Sequence, residues 1–598
     1  MIHLATAFLV GPVDAAQPPT HEALAEQLRT LGLTVVDAAD PSTLHEAIQT
    51  APEGRVALVD RRLVAQSHVL RQIVADPRPI AAAGPGAVAV AQAAREQLLT
   101  AVTIAGADPD PDHIAAALAS ELPLQRIDPA PLVAQLAATP AEAAELRAQL
   151  DDKTEERVRL NQAVKAEDSL FTSFLVSPWT KHVARWCARG GIRPNQVTWA
   201  SAVVALVAGV LAATGTRAGL TVGALLLLVS FFLDSIDGQL ARYTYNFTKL
   251  GSWLDATFDK AKEFVFFAGL AYGAATQPGD EIWLLAASAV AFQVVRHMMH
   301  FAYSETSVDA GVVTTSAQAK LAELHWTVGL RRLALLPQGE RMLLIAVLTI
   351  LAGPRTMFLV LLGLGLLSAL YGFTGRILRS LRKIRRGWSQ HAAWSLGAMV
   401  DVGPIGWLWH HALPGRSLPS PLVTLVALVV LTGALLFTPS AGVMWIVVGV
   451  LWYVLLISFA SRQPLNGWAD WVLPPSYRAA EAAVAIGAAS MLAPHALPAA
   501  FAYVAATSFH HYDTVYRLRG AETAPPRWLV AATGGHDGRM LILALLTLAG
   551  SAWLAGGLIV LAIYLAVLFV AESVVNTATW VRGEPTQRMA TLVTGDGR

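Results

Sequence analysis

The sequence predicts a multidomain protein: an N-terminal soluble α/β domain, then an all-α polytopic membrane region of about twelve transmembrane helices in two six-helix modules. Three observations predict it. Composition changes near residue 150, apolar runs of membrane-spanning length follow from about residue 197, and one apolar segment occurs twice in the second part of the chain. The expected boundaries are 1–150 for the α/β domain, 151–195 for a linker and an interfacial helix, 196–390 for the first membrane module and 391–598 for the second.

The first 150 residues carry strand-like runs, "HLATAFLVG", "LTVVDAA" and "RVALVDRRLV", separated by helical patterns such as "HEALAEQLRTLG". Strands alternating with helices make an α/β domain. The N-terminal "MIHLATAFLVG" is apolar but short and lacks a basic leading segment, so it reads as a first strand and not as a signal peptide. The following loop, "VGPVDAAQPP", has no Gly-rich, Lys- or Arg-bearing phosphate cradle. From about Thr139 to Ala166 the chain is charged and helix-prone, which reads as a solvated connector. In "LFTSFLVSPWTKHVARWCARGG" aromatic and apolar residues alternate with Lys181, Arg185 and Arg189, the pattern of an amphipathic helix lying in the membrane interface.

Apolar runs then lie near 197–214, 219–236, 252–275, 282–303, 341–353 and 356–376. Each approaches the length needed to cross a bilayer. Arg242, Lys249, Arg331, Arg332, Arg376, Arg379, Arg382, Lys383, Arg385 and Arg386 all fall on one side of these runs, the side of the α/β domain. Positive charge marks the cytoplasmic face, so both the soluble domain and the carboxylates near Arg242 and Lys249 should face the cytoplasm. The expected location is a prokaryotic plasma membrane. A net charge of +1 gives no reason to expect a nucleic-acid partner, and the single cysteine, Cys187, excludes a disulfide framework within the chain.

One short stretch carries the chemistry. In "DSIDGQLARYTYNFTKLGSWLDATFDK" the residues Asp234, Asp237, Gly238 and Ala241 share one helical stripe, and Gly251, Asp255 and Asp259 share another. Carboxylates beside hydrocarbon are costly and point to a functional site. Four of them converging repel one another and call for cations. Their all-oxygen character suits two Mg²⁺ or Mn²⁺ ions, which can clamp the attacking and leaving oxygens of a displacement at phosphorus. The plain alternative is a set of solvated carboxylates at a membrane surface.

The pattern D-x-x-D-G-x-x-A-R-x8-G-x-x-x-D-x-x-x-D is met at every fixed position from Asp234 to Asp259, and in this the chain resembles the CDP-alcohol phosphotransferase (phosphatidyltransferase) family. The "RPNQVT" segment resembles that family's entry to its first membrane helix. The resemblance implies an integral membrane enzyme of phospholipid synthesis. A hydroxyl would attack the β-phosphate of a CDP-alcohol, often CDP-diacylglycerol, and CMP would leave. It further implies Asp234, Asp237, Asp255 and Asp259 as metal ligands and Asp259 also as general base. Asp234, Gly238, Ala241, Arg242 and Gly251 would line the CDP site, where the fork of Arg242 suits a pyrophosphate. For an acceptor phosphate the candidates are Arg296, Arg331, Arg332 and Arg341. Some relatives fuse a nucleotidyltransferase domain ahead of the membrane part, and residues 1–150 resemble a degenerate version of one.

The second half has further apolar runs near 420–437, 441–460, 478–493, 496–514, 538–555 and 557–577. "GERMLLIAVLTILAG" (339–353) matches "DGRMLILALLTLAG" (537–550), and laying the upstream segments side by side puts Asp470 opposite Asp255 and Tyr477 opposite Asp259. The other carboxylates have no counterpart. A second module without metals is expected, making an internal pseudo-dimer that could also pair as a homodimer. "SFHHYD" (510–513 its polar part) and "GGHDGR" (containing His536 and Arg539) are weaker candidates for a metal or phosphate site. Two rival classes share these features: a twelve-helix transporter and a non-catalytic membrane scaffold. Carboxylates at a helix end, away from the bilayer midplane, argue against the former. An intact motif argues against the latter.

Overall fold

The computed structural model describes all residues except 1–4, 12–17, 39–40, 107–108, 166–167, 278, 309–335, 382–386, 413–418, 462–463, 521–522 and 583–598. Most of the first expected loop and the basic run 382–386 therefore lie outside the described residues. The chain forms two compact units. One comprises 1–166, 181–193 and 238–247, and the other 167–180, 194–237 and 248–598.

The first unit runs β1 (Thr6–Val10), α1 (Pro18–Thr30), β2 (Thr34–Asp37), α2 (Pro41–Thr50), β3 (Val56–Asp60), β4 (Leu63–Ala65), α3 (Ser67–Leu70), β5 (Ala81–Gly84), β6 (Ala87–Val90), α4 (Arg95–Ala105), α5 (Pro111–Glu121), β7 (Leu124–Arg126) and β8 (Ala134–Leu136). Six strands form a mixed sheet in the order β2-β1-β3-β6-β5-β7, with β4 and β8 as a separate antiparallel pair. β1 pairs in parallel with both β2 and β3, whereas β6 is antiparallel to β3 and β5. Alternate side chains feed two cores: Ala7, Leu9, Ala57 and Val59 enter one, Phe8, Val10, Val56 and Leu58 the other. A sheet covered on both faces explains why these strands read as unbroken apolar runs.

The expected connector is two helices, α6 (Pro140–Ala148) and α7 (Asp152–Ala163), and α7 is less solvated than its charge suggested. Leu160 and Ala163 are buried with Tyr243, whose hydroxyl donates to Glu156 at 2.9 Å while Arg159 stacks on its ring at 3.8 Å. Two charged residues of α7, Glu156 and Arg159, thus serve one aromatic partner, a use that periodicity does not reveal. α8 (Ser177–Arg189) follows, with Trp179 and Trp186 exposed as an interfacial helix requires.

The second unit is helical. α9 (Pro194–Ala212), α10 (Arg217–Thr244), α11 (Lys249–Ala274), α12 (Glu281–Val308), α13 (Gln338–Leu351) and α14 (Gly353–Leu381) come first; the last turns of α10 belong to the first unit. Then come α15 (Gln390–Val400), α16 (Pro404–Ala412), α17 (Ser420–Ala441), α18 (Met444–Ala460), α19 (Leu473–Leu492), α20 (Leu497–Gly520), α21 (Arg527–Ala532), α22 (Gly535–Leu548) and α23 (Ser551–Arg582). Among the described residues seven helical stretches are long and apolar enough to cross a membrane: Pro194–Ala212, Arg217–Thr244, Glu281–Thr306, Gly353–Leu381, Ser420–Thr438, Arg527–Leu548 and Ser551–Trp580. α11 falls short of that composition because Asp255, Asp259, Lys260, Lys262 and Glu263 lie along it. Leu366, Leu367 and Leu370 on α14, and Val560, Ile563 and Val567 on α23, point outward. Outward apolar faces on long helices are those of a multi-pass membrane protein.

Small residues set how closely α9 and α11 approach. A Cβ on Gly269 would lie 2.1 Å from the carbonyl oxygen of Gly209, so the two helices touch backbone to backbone. That contact fixes α11, and with it the carboxylate stripe, against α9.

Candidate active site

α10 presents Asp234 and Asp237 one turn apart, and α11 presents Asp255 and Asp259 in the same relation. The two helices bring Asp234, Asp237 and Asp255 together so that one carboxylate oxygen of each lies within 4.8 Å of the others. Asp259 stands one turn further along α11, 3.6 Å from the ammonium of Lys262. These hard oxygen donors form a group able to hold a divalent cation.

Neighbouring residues aim the carboxylates. Asp237 is buried and accepts a 2.6 Å hydrogen bond from Thr198 Oγ1, in the "RPNQVT" segment at the start of α9. Lys262 donates to Asp234 and, at 3.0 Å, to Ser201 Oγ. Its ammonium faces both helices' carboxylates and offsets part of their repulsion. Lys262 and Ser201 were not foreseen, although Lys262 continues the Asp255–Asp259 stripe at i+3 and that spacing could have disclosed it.

The glycines have local causes. At Gly251 a Cβ would lie 2.6 Å from Asn195 Oδ1 and 2.8 Å from Thr248 Oγ1, and the Gly251 amide donates to that Thr248 hydroxyl at 2.9 Å. Thr248 is the N-cap of α11, so Gly251 lets the cap and Asn195 close over the first turn. Gly238 and Ala241 lie on α10 toward its C-terminal end, followed by Arg242. The guanidinium of Arg242 folds back along the helix to 3.4 Å from where a Gly238 Cβ would be, and its Nε donates to the carbonyl of Ala163 at 2.5 Å.

Of the four acceptor candidates, Arg331 and Arg332 lie outside the described residues. Arg341 is buried and grips Glu263 on α11 with two bonds, Nε to Oε1 at 3.0 Å and Nη2 to Oε2 at 3.1 Å. Gln293 on α12 donates to the same Oε1 at 2.7 Å. Arg296 donates to the carbonyl of Leu336 at 3.1 Å.

Over residues 192–371, the stretch holding these side chains, the chain matches the model of the CDP-alcohol phosphatidyltransferase family. This part of the chain belongs to that family. Among the relatives of this stretch is a protein from Aquifex aeolicus described as a bifunctional IPC transferase and DIPP synthase. The two are 30% identical over 168 residues, 28% of this chain and 35% of the relative. An archaetidylinositol phosphate synthase from Pyrococcus horikoshii is 31% identical over 93 residues, 16% of this chain and 48% of the relative. A phosphatidylinositol phosphate synthase from Cutibacterium acnes is 26% identical over 138 residues, 23% of this chain and 66% of the relative. The matched stretch thus spans about a third of the Aquifex relative's length.

Residues 390–591 match a different model, a family of unknown function (DUF5941). Here the structure draws "SFHHYD" and "GGHDGR" toward Asp401 and Glu481. Glu481 on α19 accepts from Arg539 Nε at 2.7 Å and Tyr503 at 2.7 Å, and lies 2.9 Å from His536 Nδ1. Asp401 pairs with Arg539 at 2.9 Å, and His511 Nε2 lies 2.7 Å from Arg478. Asp401, His510 and His511 are close enough together to hold an ion, but two guanidinium groups already bring positive charge there. Asp470 receives the amide of Gly467 at 2.8 Å, and Tyr477 stacks on His536, so these two serve a turn and a core contact.

Proposed function

We propose that the protein transfers a phosphatidyl or phosphoalcohol group from a CDP-alcohol, CDP-diacylglycerol being the expected donor, to an acceptor hydroxyl with release of CMP. The observation that carries this reading is the meeting of Asp234, Asp237 and Asp255 from two helices, within a segment of the CDP-alcohol phosphatidyltransferase family. Asp234, Asp237, Asp255 and Asp259 would hold two Mg²⁺ or Mn²⁺ ions. Bound there, the ions would supply charge stabilisation for a displacement at phosphorus.

The chain's own residues set up the rest. Thr198 holds Asp237 in one rotamer, and Lys262 keeps Asp234 and Asp259 turned toward each other's helix. Asp259 takes the proton of the acceptor hydroxyl as its oxygen forms a bond to phosphorus and the bond to the CMP phosphate breaks. Asp259 Oδ1 is buried and has no hydrogen-bond donor among the described residues, which suits a base.

Twelve helices in two modules, arranged as an internal pseudo-dimer with the α/β domain and the carboxylates on the cytoplasmic side of a prokaryotic plasma membrane, are part of the same reading. It is supported by contacts between the two halves: Trp283 on α12 packs on Phe501 on α20, and Trp253 Nε1 on α11 donates to Ser573 on α23 at 3.0 Å. The test is CMP release by the purified protein given CDP-diacylglycerol and an acceptor panel including inositol phosphate and glycerol phosphate. Release that needs Mg²⁺ or Mn²⁺ and stops with chelator supports the reading; full release in excess chelator refutes the two-metal mechanism.

A further inference from the structure

Lys249 and Trp253 stand one turn apart at the start of α11, and Trp253 precedes Asp255 by two residues. Both are held by helices of the second half. Trp253 Nε1 donates to Ser573 Oγ on α23 at 3.0 Å, and Ser573 donates to Asp513 Oδ1 on α20 at 2.6 Å. The direction of this chain is fixed: an indole N–H can only donate and a carboxylate can only accept, so the one proton of Ser573 is committed to Asp513. Arg517 Nε donates to the other oxygen of Asp513 at 2.6 Å. The Arg517 fork closes on Glu572, with Nη1 on Oε1 at 2.9 Å and Nη2 on Oε2. Ser573, Asp513 and Arg517 are all buried.

Lys249 is held separately. Its carbonyl accepts from the Tyr516 hydroxyl at 3.3 Å, and its ammonium donates to the carbonyl of Trp580 at 3.2 Å while lying 4.9 Å from the centre of that residue's ring. Asp513, Tyr516 and Arg517 share one face of α20, and Glu572, Ser573 and Trp580 share one face of α23. Tyr516 also lies within electrostatic reach of Asp255 itself. These bonds are not needed to start the helix, because Thr248 already caps it. Nor are they needed to join the halves, for which an apolar contact such as Trp283 on Phe501 suffices. What a buried chain of directional bonds adds is a single orientation. Here it fixes the first two turns of α11, and Asp255 sits on the second of them.

We propose that Trp253, Ser573 and Asp513, with Tyr516 beside them, are positioning residues for the metal site: the second half braces the opening turns of α11 so that Asp255 meets Asp234 and Asp237 at the spacing a divalent cation needs. The inference rests on the metal reading of these aspartates given above. Groups that orient metal ligands without touching the metal tune its affinity. The region of unknown function, residues 390–591, thereby has a task in the reaction without any chemistry of its own.

The experiment is Mn²⁺ binding to the purified full-length protein in detergent, read from the electron paramagnetic resonance signal of the free ion with no substrate present. Binding that Asp255→Asn loses reports the site. Trp253→Phe keeps an aromatic ring and removes the N–H, and should weaken that binding about threefold to tenfold, the effect of one hydrogen bond. Turnover at saturating Mn²⁺ should change little. Ser573→Ala breaks the same bond from the other side and serves if Trp253→Phe fails to fold. The double variant should bind about as well as the weaker single one, because both remove one bond. Tyr516→Phe should weaken binding by a smaller factor. Trp283→Leu, which opens the apolar contact between α12 and α20, should lower the thermal midpoint and leave Mn²⁺ affinity unchanged. Unaltered affinity in folded Trp253→Phe and Ser573→Ala, or an equal loss in Trp283→Leu, overturns the brace alone. No Asp255-dependent Mn²⁺ binding in the unaltered protein refutes the metal reading, and the brace falls with it.

Discussion

Two glutamate–arginine pairs occupy matching places in the two halves of the membrane region. In the first, Arg341 on α13 donates Nε to Oε1 and Nη2 to Oε2 of Glu263 on α11; in the second, Arg539 on α22 makes the same two bonds to Glu481 on α19. The long helix that follows the glutamate's own in each half adds a neutral donor to the same Oε1, Gln293 on α12 in one and Tyr503 on α20 in the other. The alignment that sets Tyr477 against Asp259 also sets Glu481 against Glu263, and the "RML" match sets Arg539 against Arg341. What differs is the surroundings. Along the helix of the first glutamate stand Asp255, Asp259 and Lys262; beside the second pair stand Arg478, Asp401 and three histidines. The comparison teaches that the buried Glu–Arg clamp and the aspartate stripes are separable: the clamp recurs where the pattern from Asp234 to Asp259 does not.

Removing a carboxylate of the proposed metal site should have the largest effect. Asp237→Asn, or chelation, should take CMP release to background, while Asp537→Asn in the second half should leave it within a few-fold for the folded protein. Asp537 accepts amide hydrogens from Gly403 and Gly406 and touches no carboxylate cluster of the first half. Next comes Asp259→Asn, expected to lower turnover by about two to four orders of magnitude with CDP-alcohol binding retained, as isothermal titration would register. Loss of binding as well would recast Asp259 as chiefly a metal ligand.

The clamps should matter for stability. Glu481→Gln leaves Arg539 and Arg478 buried with one charge fewer between them and should cost about 3–5 kcal/mol, read as a lowered thermal midpoint with turnover per folded molecule little changed. Glu263→Gln should destabilise similarly and also lower turnover, because its helix carries the carboxylates. Equal losses of turnover in both variants would blur the distinction between the halves. The smallest effect is expected at Ser573, which accepts from Trp253 and donates to Asp513 at 2.6 Å. Ser573→Ala should cost about 1–3 kcal/mol and shift turnover slightly, since Trp253 lies two residues before Asp255.

How much was legible in the sequence depended on the range of the interaction. The strands were legible because alternation is local, and Asp234, Asp237, Asp255 and Asp259 because helical spacing gathers them into two stripes. Thr198 stood out only as part of "RPNQVT"; its bond to Asp237 spans 39 positions and no periodicity encodes it. Glu263 and Arg341 are single charges in apolar helices 78 residues apart, and such pairs show themselves only in three dimensions. The charge of α7 misdirected the reading toward solvent, because Arg159 and Glu156 serve Tyr243, 84 and 87 positions on. Arg341 had drawn notice as a possible phosphate ligand; its bonds to Glu263 give it a second, structural occupation.

The most direct test of the division between the halves is metal-dependent CMP release by the purified full-length protein carrying either Asp255→Asn or Asp470→Asn, the two aspartates that the internal alignment sets opposite each other. Each variant would be checked for an unchanged thermal midpoint. The predicted result is no release from Asp255→Asn at any Mg²⁺ or Mn²⁺ concentration and near-normal release from Asp470→Asn. Release from Asp255→Asn, or its loss in a folded Asp470→Asn, would contradict the assignment of the chemistry to the first half alone.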